Sequence, residues 1–130
     1  MTDRLATALI EARRTGSLIK TADIPPPETL EEVYQVQVAV VKATGAAGGF
    51  KVGRPGPPTI PTYAPIRKDW IWQNGETVPR ELSRLCGVEL EIGFVLKADP
   101  PAPDDPAFGA KLRACLVMAP MLEIVESRLD

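Results

Sequence analysis

Apolar and other residues alternate strictly along residues 88–96. Every second position is apolar, namely Val88, Leu90, Ile92, Phe94 and Leu96. A period of two is typical of a β-strand with one buried face, because successive side chains of a strand point to opposite sides of the sheet. Glu89 and Glu91 therefore lie together on the other face, with their Cα atoms about 6–7 Å apart.

A second segment, residues 120–126, is apolar enough to predict a largely buried strand, and it contains Glu123. A carboxylate there is costly unless it is paired with a base or bound to a metal. Two carboxylates on one strand face also repel each other unless a positive charge lies between them. In a chain without histidine, three glutamates fit Mg²⁺ or Mn²⁺ better than Zn²⁺. The alternative is that Glu89 and Glu91 lie on a solvated face and that Glu123 pairs with Arg128 or another base.

Helical spacing of apolar residues predicts two helices near the N-terminus. The first covers residues 4–15. The second follows Thr29, which forms a capping-box pattern with Glu32, and runs to about Thr44. Its predicted inner face consists of Leu30, Val33, Val36, Gln37, Val40 and Val41. We expect these helices to form a small N-terminal subdomain over residues 1–48.

The rest of the chain, residues 49–130, predicts a strand-rich region. The expected elements before the Glu89 strand are a strand at 49–53, a proline-rich loop at 54–65, a hairpin with strands at 70–72 and 76–78 around an Asn-Gly turn, and a helical turn at 81–85. After it, a helix is expected at about 106–117, with Phe108, Leu112, Cys115 and Leu116 facing inward. Helices followed by a strand-rich region indicate an α+β fold.

Composition narrows the class of protein. A chain of 130 residues with 45% hydrophobic and 25% charged residues is long enough for one modest domain with a core. The net charge of −2 gives no footprint for nucleic acid or for an anionic membrane, and no apolar run approaches the ~20 residues of a membrane span. The N-terminus lacks the apolar region of a secretory signal. Without a CxxC pair, Cys86 and Cys115 predict two buried thiols in a reducing cytoplasm.

Lys51 is the remaining candidate for chemistry. It lies between Phe50 and Val52 in a strand bracketed by glycines. If buried near carboxylates, its amine could bind an anionic substrate or relay protons. The alternative is an ordinary strand lysine whose stem packs against the sheet while its amine reaches water.

Taken in order, these segments resemble the fumarylacetoacetate hydrolase superfamily, and most closely its 2-keto-4-pentenoate hydratase and 2-oxo-3-hexenedioate decarboxylase branch. The resemblance is carried by the first helix and by the second helix with Tyr34, Val36 and Gln37. It is also carried by the sequence Gly-Phe-Lys-Val-Gly at 49–53 and by the two glutamate-containing segments at 87–96 and 122–128. The stretch after the lysine departs from the family, which usually continues with a Leu-Thr-Ser-like sequence where this chain has Arg-Pro-Gly-Pro-Pro.

The resemblance implies a fold and a site. The fold is a helical layer over residues 1–48 followed by a mixed β-roll of the fumarylacetoacetate hydrolase type over residues 49–130, incomplete at its C-terminus because family members are longer. Glu89, Glu91 and Glu123 correspond to the metal-binding carboxylates, with Mg²⁺ or Mn²⁺ as the cofactor. Lys51 corresponds to the catalytic lysine and, together with Arg54, would bind the substrate. Glu126 is expected to have a structural pairing with Arg128.

The implied function is that of a cytoplasmic, metal-dependent lyase. It would hydrate or decarboxylate small 2-oxo or 2-hydroxydienoate acids in aromatic-compound catabolism, as a homo-oligomer or with a complementary C-terminal half, and without nucleic-acid or membrane partners. One alternative is a fumarylacetoacetate-type C–C bond hydrolase of the acylpyruvate class, which the lack of histidine disfavours. Another is a catalytically incomplete chain that binds metal or a partner without turnover.

Overall fold

The chain folds as an α+β protein, as the sequence predicts. The computed structural model describes residues 2–53 and 61–130, and there it contains three α-helices and two antiparallel two-stranded sheets. The fold divides into two compact units, Met1–Leu82 with Ser127–Asp130, and Ser83–Glu126. No helix in the described ranges is both long enough and apolar enough to cross a membrane.

Both N-terminal helices form in the first unit where the sequence predicts them. They are α1 (Thr2–Thr15) and α2 (Leu30–Thr44). The predicted capping box is confirmed: Thr29 Oγ1 accepts a hydrogen bond from Glu32 N at 3.2 Å, and Glu32 Oε2 accepts one from Thr29 N at 3.3 Å. These bonds satisfy backbone donors that the first turn of a helix leaves without a partner.

Few apolar side chains are fully buried among the described residues of the first unit. Its buried apolar residues are Ala6, Ala12, Ile19 and Val36, contributed by α1, by the connection after it and by α2. Ile19 also holds the last residues of the chain, because its N–H donates to Arg128 O at 2.8 Å and its carbonyl accepts from Asp130 N at 3.1 Å. Leu30, predicted to face inward, is 44% exposed at the start of α2, so that prediction is wrong.

The sheet of the first unit pairs β1 (Ala47–Gly53) with β2 (Thr62–Arg67). The strand predicted at 49–53 is therefore confirmed, but the predicted loop is wrong over 62–65. The prediction failed at Pro65, because the sequence places this proline in a loop, whereas it lies in β2 opposite Phe50. A two-stranded sheet has only edge strands, where a residue without an N–H is tolerated. The rest of the predicted loop, residues 54–60 with Arg54, lies outside the described residues.

The hairpin predicted around Asn74 and Gly75 is wrong. A turn is present, with Gly75 at φ +90° and Glu76 N donating to Gln73 O at 3.1 Å, but no strands flank it. The preceding residues Lys68–Trp70 form a 3₁₀-helix. Strand preference is easily overridden by tertiary contacts, and here the indole of Trp70 contacts two arginines. The helical turn predicted at 81–85 is confirmed only at Glu81 and Leu82, which belong to a 3₁₀-helix at Arg80–Leu82.

The second unit is a long hairpin with a helix in its connection. β3 (Gly87–Leu96) pairs with β4 (Leu116–Val125), and α3 (Phe108–Cys115) lies between them in sequence. The predicted third helix is thus too long at both ends. Asp105 does not cap it directly, since Ala107 is the N-cap; Asp105 instead accepts hydrogen bonds from Ala107 N at 2.8 Å and Lys111 Nζ at 2.6 Å.

Exposure corrects three further predictions. The strand predicted at 120–126 is not largely buried, since Met121 is 38% and Leu122 69% exposed. The apolar face of β3 is exposed, not buried: Val88 58%, Leu90 77%, Ile92 68%, Phe94 62% and Leu96 53%. Period-two alternation identifies an apolar face, but it does not show that another layer covers that face. Cys86 is exposed and Cys115 half-buried, both as free thiols, so the expected pair of buried thiols is wrong.

Candidate metal centre

The antiparallel register of the second unit brings the three predicted glutamates together. Glu89 of β3 lies directly opposite Glu123 of β4, and Glu91 lies opposite Met121. Side chains of directly opposed residues share one face of a sheet, and so do residues two apart in a strand. All three carboxylates therefore lie on the face opposite the exposed apolar residues of β3.

The carboxylates also lie within coordinating range of one another. One oxygen from each of Glu89, Glu91 and Glu123 can be chosen so that all three lie within 4.8 Å of one another. At Mg–O distances of about 2.1 Å, oxygens on opposite sides of the ion are about 4.2 Å apart. The largest separation therefore exceeds this span by no more than about 0.6 Å, and the carboxylates would have to move closer together to share one ion. An all-oxygen, triply negative donor set suits Mg²⁺ or Mn²⁺.

The three carboxylates differ in exposure. Glu89 is exposed, whereas Glu91 and Glu123 are half-buried. Glu91 and Glu123 thus have less freedom to move, and Glu89 lies on the side open to water. A cation held here would keep positions open for water or for a small ligand, as Mg²⁺ sites usually do.

Gly93 and Met121 shape the face beside Glu91. A Cβ atom at Gly93 would lie 2.2 Å from Met121 Sδ, 2.4 Å from its Cε and 2.8 Å from its Cγ. The side chain of Met121 therefore occupies the space that only a glycine leaves open. Neither residue was predicted to belong to the site, although a glycine inside a strand often marks a close approach.

Hydrogen bonds connect the end of β4, next to Glu123, to the residues that precede β3. The buried hydroxyl of Ser83 donates to Val125 O at 3.1 Å and accepts from Cys86 N at 3.0 Å. Glu126 accepts a hydrogen bond from the backbone N–H of Arg84, and its carboxylate lies 3.6 Å from the Arg84 guanidinium. The predicted pairing of Glu126 with Arg128 is therefore wrong among the described residues, where Arg84 is an ion-pair partner of Glu126.

Lys51 lies in the first unit, and the three glutamates lie in the second. It is a half-buried residue of β1, opposite Ala64, and its neighbours Phe50 and Val52 are 60% and 65% exposed. Phe50 packs edge-on against Tyr63, with 6.0 Å between ring centroids. The other predicted substrate-binding residue, Arg54, falls outside the described ranges.

Comparisons with known proteins leave the family open. Nothing matches among protein-family models, curated proteins or solved structures. The candidate metal centre therefore rests on the register of β3 and β4 and on the distances among the three carboxylates. The resemblance to the fumarylacetoacetate hydrolase superfamily rests on the sequence motifs.

Proposed function

We propose that this chain binds Mg²⁺ or Mn²⁺ through Glu89, Glu91 and Glu123, and acts as a hydratase or decarboxylase of small 2-oxo or 2-hydroxydienoate acids. The observation that carries the proposal is the convergence of three carboxylates within 4.8 Å on one face of the hairpin. The motif order of the fumarylacetoacetate hydrolase superfamily supports it. The β-roll, the cytoplasmic location and the role in aromatic catabolism belong to the same proposal.

The chemistry divides between the cation and the protein. When bound, a divalent cation polarises the oxygens of a 2-oxo acid and stabilises negative charge on them. The half-buried Glu91 and Glu123 would hold the cation in position. The exposed Glu89 lies on the side that is open to water and to small ligands. Lys51 binds the substrate carboxylate and moves a proton to or from the carbon chain of the substrate, and Arg54 adds a second positive charge for the anionic substrate.

The activity is tested by following the ultraviolet absorbance of a 2-hydroxydienoate with the purified chain and Mg²⁺. We expect absorbance to fall only with the metal, and Glu91→Gln and Lys51→Ala to abolish the loss. Glu126→Gln is the matched control, because it removes a negative charge three residues from Glu123, at a carboxylate whose partner is Arg84.

Two outcomes would overturn the proposed reaction. Cleavage of an acylpyruvate, with no turnover of the dienoate, would assign the site to a C–C hydrolase. Metal binding without turnover of either substrate would make the chain a metal-binding protein that lacks this activity. In both cases the carboxylate site itself would stand, so the reaction and the site are tested separately.

A further inference from the structure

Three arginines from distant parts of the sequence form a cluster in the first unit, and two of them contact Trp70. The Cζ atom of Arg13, on α1, lies 4.7 Å from the centre of the indole, and the Cζ atom of Arg67, on β2, lies 4.9 Å from it. Arg128 belongs to the C-terminal segment, residues 127–130, and lies close enough for its positive charge to lower the pKa of Arg13. All four side chains are half-buried.

The positive charge of this cluster is only partly balanced. Arg67 Nε donates to Asp69 Oδ1 at 2.8 Å, which accounts for one guanidinium. Within residues 2–53 and 61–130, no carboxylate forms an ion pair with Arg13 or Arg128. Three of their nitrogens, Arg13 Nε together with Arg128 Nε and Nη1, are buried there without an acceptor. Buried charged donors without a partner are costly, and native proteins rarely keep them.

The effect on Arg13 agrees with this geometry. Burial lowers the pKa of its guanidinium, and the positive charges of Arg128 and Arg67 lower it further. Each cause disfavours a positive charge at Arg13, yet an arginine stays charged in proteins. A negative ligand would offset all of these effects at once.

We propose that Arg13, Arg67 and Arg128 form a binding site for a compact oxyanion, either inorganic phosphate or a short dicarboxylate. A guanidinium offers two parallel N–H donors that match the oxygens of such ligands. Contact with Trp70 limits the motion of two of the three guanidiniums, so less freedom is lost when an anion binds. The proposed site belongs to the first unit and does not depend on the carboxylates of the second.

The chain contains its own control for the site. Arg14 follows Arg13 on α1, but its side chain is 70% exposed and its Nε donates to Glu11 Oε2 at 2.9 Å. Replacing either arginine changes the net charge equally. A difference between the two variants therefore reports on the cluster and not on general attraction of anions.

The first experiment uses the unmodified chain labelled with ¹⁵N. The Nε–Hε resonances of the arginines are followed at constant sodium chloride, in one arm with inorganic phosphate and in a second with malonate. We expect saturable shifts at Arg13 and Arg128 and little change at Arg14, and the arm with the tighter binding identifies the ligand chemistry. Absence of shifts in both arms, or parallel shifts at Arg14, would overturn the proposal.

The second experiment measures affinity in variants for the anion that binds more tightly. Arg13→Gln is expected to weaken binding at least about tenfold, because a charge-assisted bidentate contact is lost, while Arg14→Gln stays within about twofold. Equal weakening in both variants would show non-specific attraction and would contradict the site. The titration of the unmodified chain decides the question if Arg13→Gln fails to fold.

Discussion

Glu89 and Glu123 face each other directly across the β3–β4 ladder. Like charges in this position destabilise an antiparallel pair, and Glu91 adds a third carboxylate within 4.8 Å. A divalent cation among the three converts their repulsion into attraction. We therefore expect ion binding and the stability of the hairpin to be thermodynamically linked, since a ligand that binds only the folded state stabilises it.

The open space beside Gly93 should be required for the arrangement of Glu89, Glu91 and Glu123 on their shared face of the hairpin. We expect Gly93→Ala to displace the flexible end of Met121, which is 38% exposed, to change the free energy of unfolding by less than about 1 kcal/mol, and to weaken cation binding. Chemical denaturation and a cation titration measure the two effects. Met121→Ala in the Gly93→Ala background should restore most of the loss, because it removes the atoms that a Cβ would contact.

Gly109→Ala is the matched control for that substitution. Its Cβ would meet only Arg113 Nη1, at an ordinary 3.7 Å, within α3. Alanine is favoured over glycine in a helix by about 1 kcal/mol, so this variant should gain stability and leave cation binding unchanged. A Gly93→Ala variant that binds the cation as tightly as Gly109→Ala would contradict the role described for the space beside Met121.

Lys51 should act in turnover and not in cation binding. We expect Lys51→Ala to lower kcat by about 10²–10⁴-fold, the usual contribution of a positioned proton donor or acceptor, while its Mn²⁺ affinity stays that of the unmodified chain. Lys42→Ala is the control, since Lys42 is an exposed lysine of α2 in the same unit. Equal activity of the two variants would remove Lys51 from the mechanism.

The capping box of α2 should contribute measurably to stability. Thr29→Ala is expected to cost about 1 kcal/mol in the free energy of unfolding, because Glu32 N loses its side-chain acceptor. Thr29→Ser keeps the acceptor oxygen and should stay near the unmodified value. Urea denaturation followed by helical circular dichroism measures both, and equal losses would show that the hydrogen bond contributes little.

Acid should loosen the C-terminal segment through Asp130. Hydrogen bonds from the backbone N–H and the hydroxyl of Thr21, each 2.9 Å long, hold the pKa of its carboxyl below the usual value. A carboxyl with a depressed pKa in the folded state stabilises above its unfolded pKa, and this contribution is lost as pH falls through the folded pKa. Stability should therefore decline below about pH 4.

Asp130→Asn should flatten this part of the pH profile, whereas Asp3→Asn, which replaces an exposed carboxylate of α1, should not. The Thr21 amide resonance, followed from neutral to acidic pH, reports the same titration. Identical profiles for the two variants would contradict the stabilising role of the Thr21 contacts.

The sequence predicted the elements that depend on local pattern. Capping residues determine where α2 begins, and strict alternation identified β3 and the shared face of Glu89 and Glu91. It could not predict that the apolar face of β3 is exposed, because alternation contains no information about a covering layer. The sequence also did not predict that Pro65 lies in a strand. A strand tolerates a proline there only because β2 is an edge strand, which the sequence does not show.

The convergence of distant residues was predictable only in part. The Glu89–Glu123 register follows from pairing two strands whose acidic positions were recognised, but the sequence alone left open whether the carboxylates meet. The cluster of Arg13, Arg67 and Arg128 gave no such signal, because its members lie far apart in sequence and in unlike elements. Trp70, interpreted as a strand residue, is the side chain that two of them contact.

Titration of the folded chain with Mn²⁺, by calorimetry, examines the carboxylate site itself. The unmodified chain should bind one equivalent saturably, and Glu89→Gln with Glu123→Gln should weaken that binding by about 100-fold or more, since two charged oxygen ligands are lost. Glu31→Gln with Glu76→Gln removes the same charge elsewhere and should bind normally. No saturable binding to the folded, unmodified chain, or equal binding by the two double variants, would show that these glutamates do not form a metal centre.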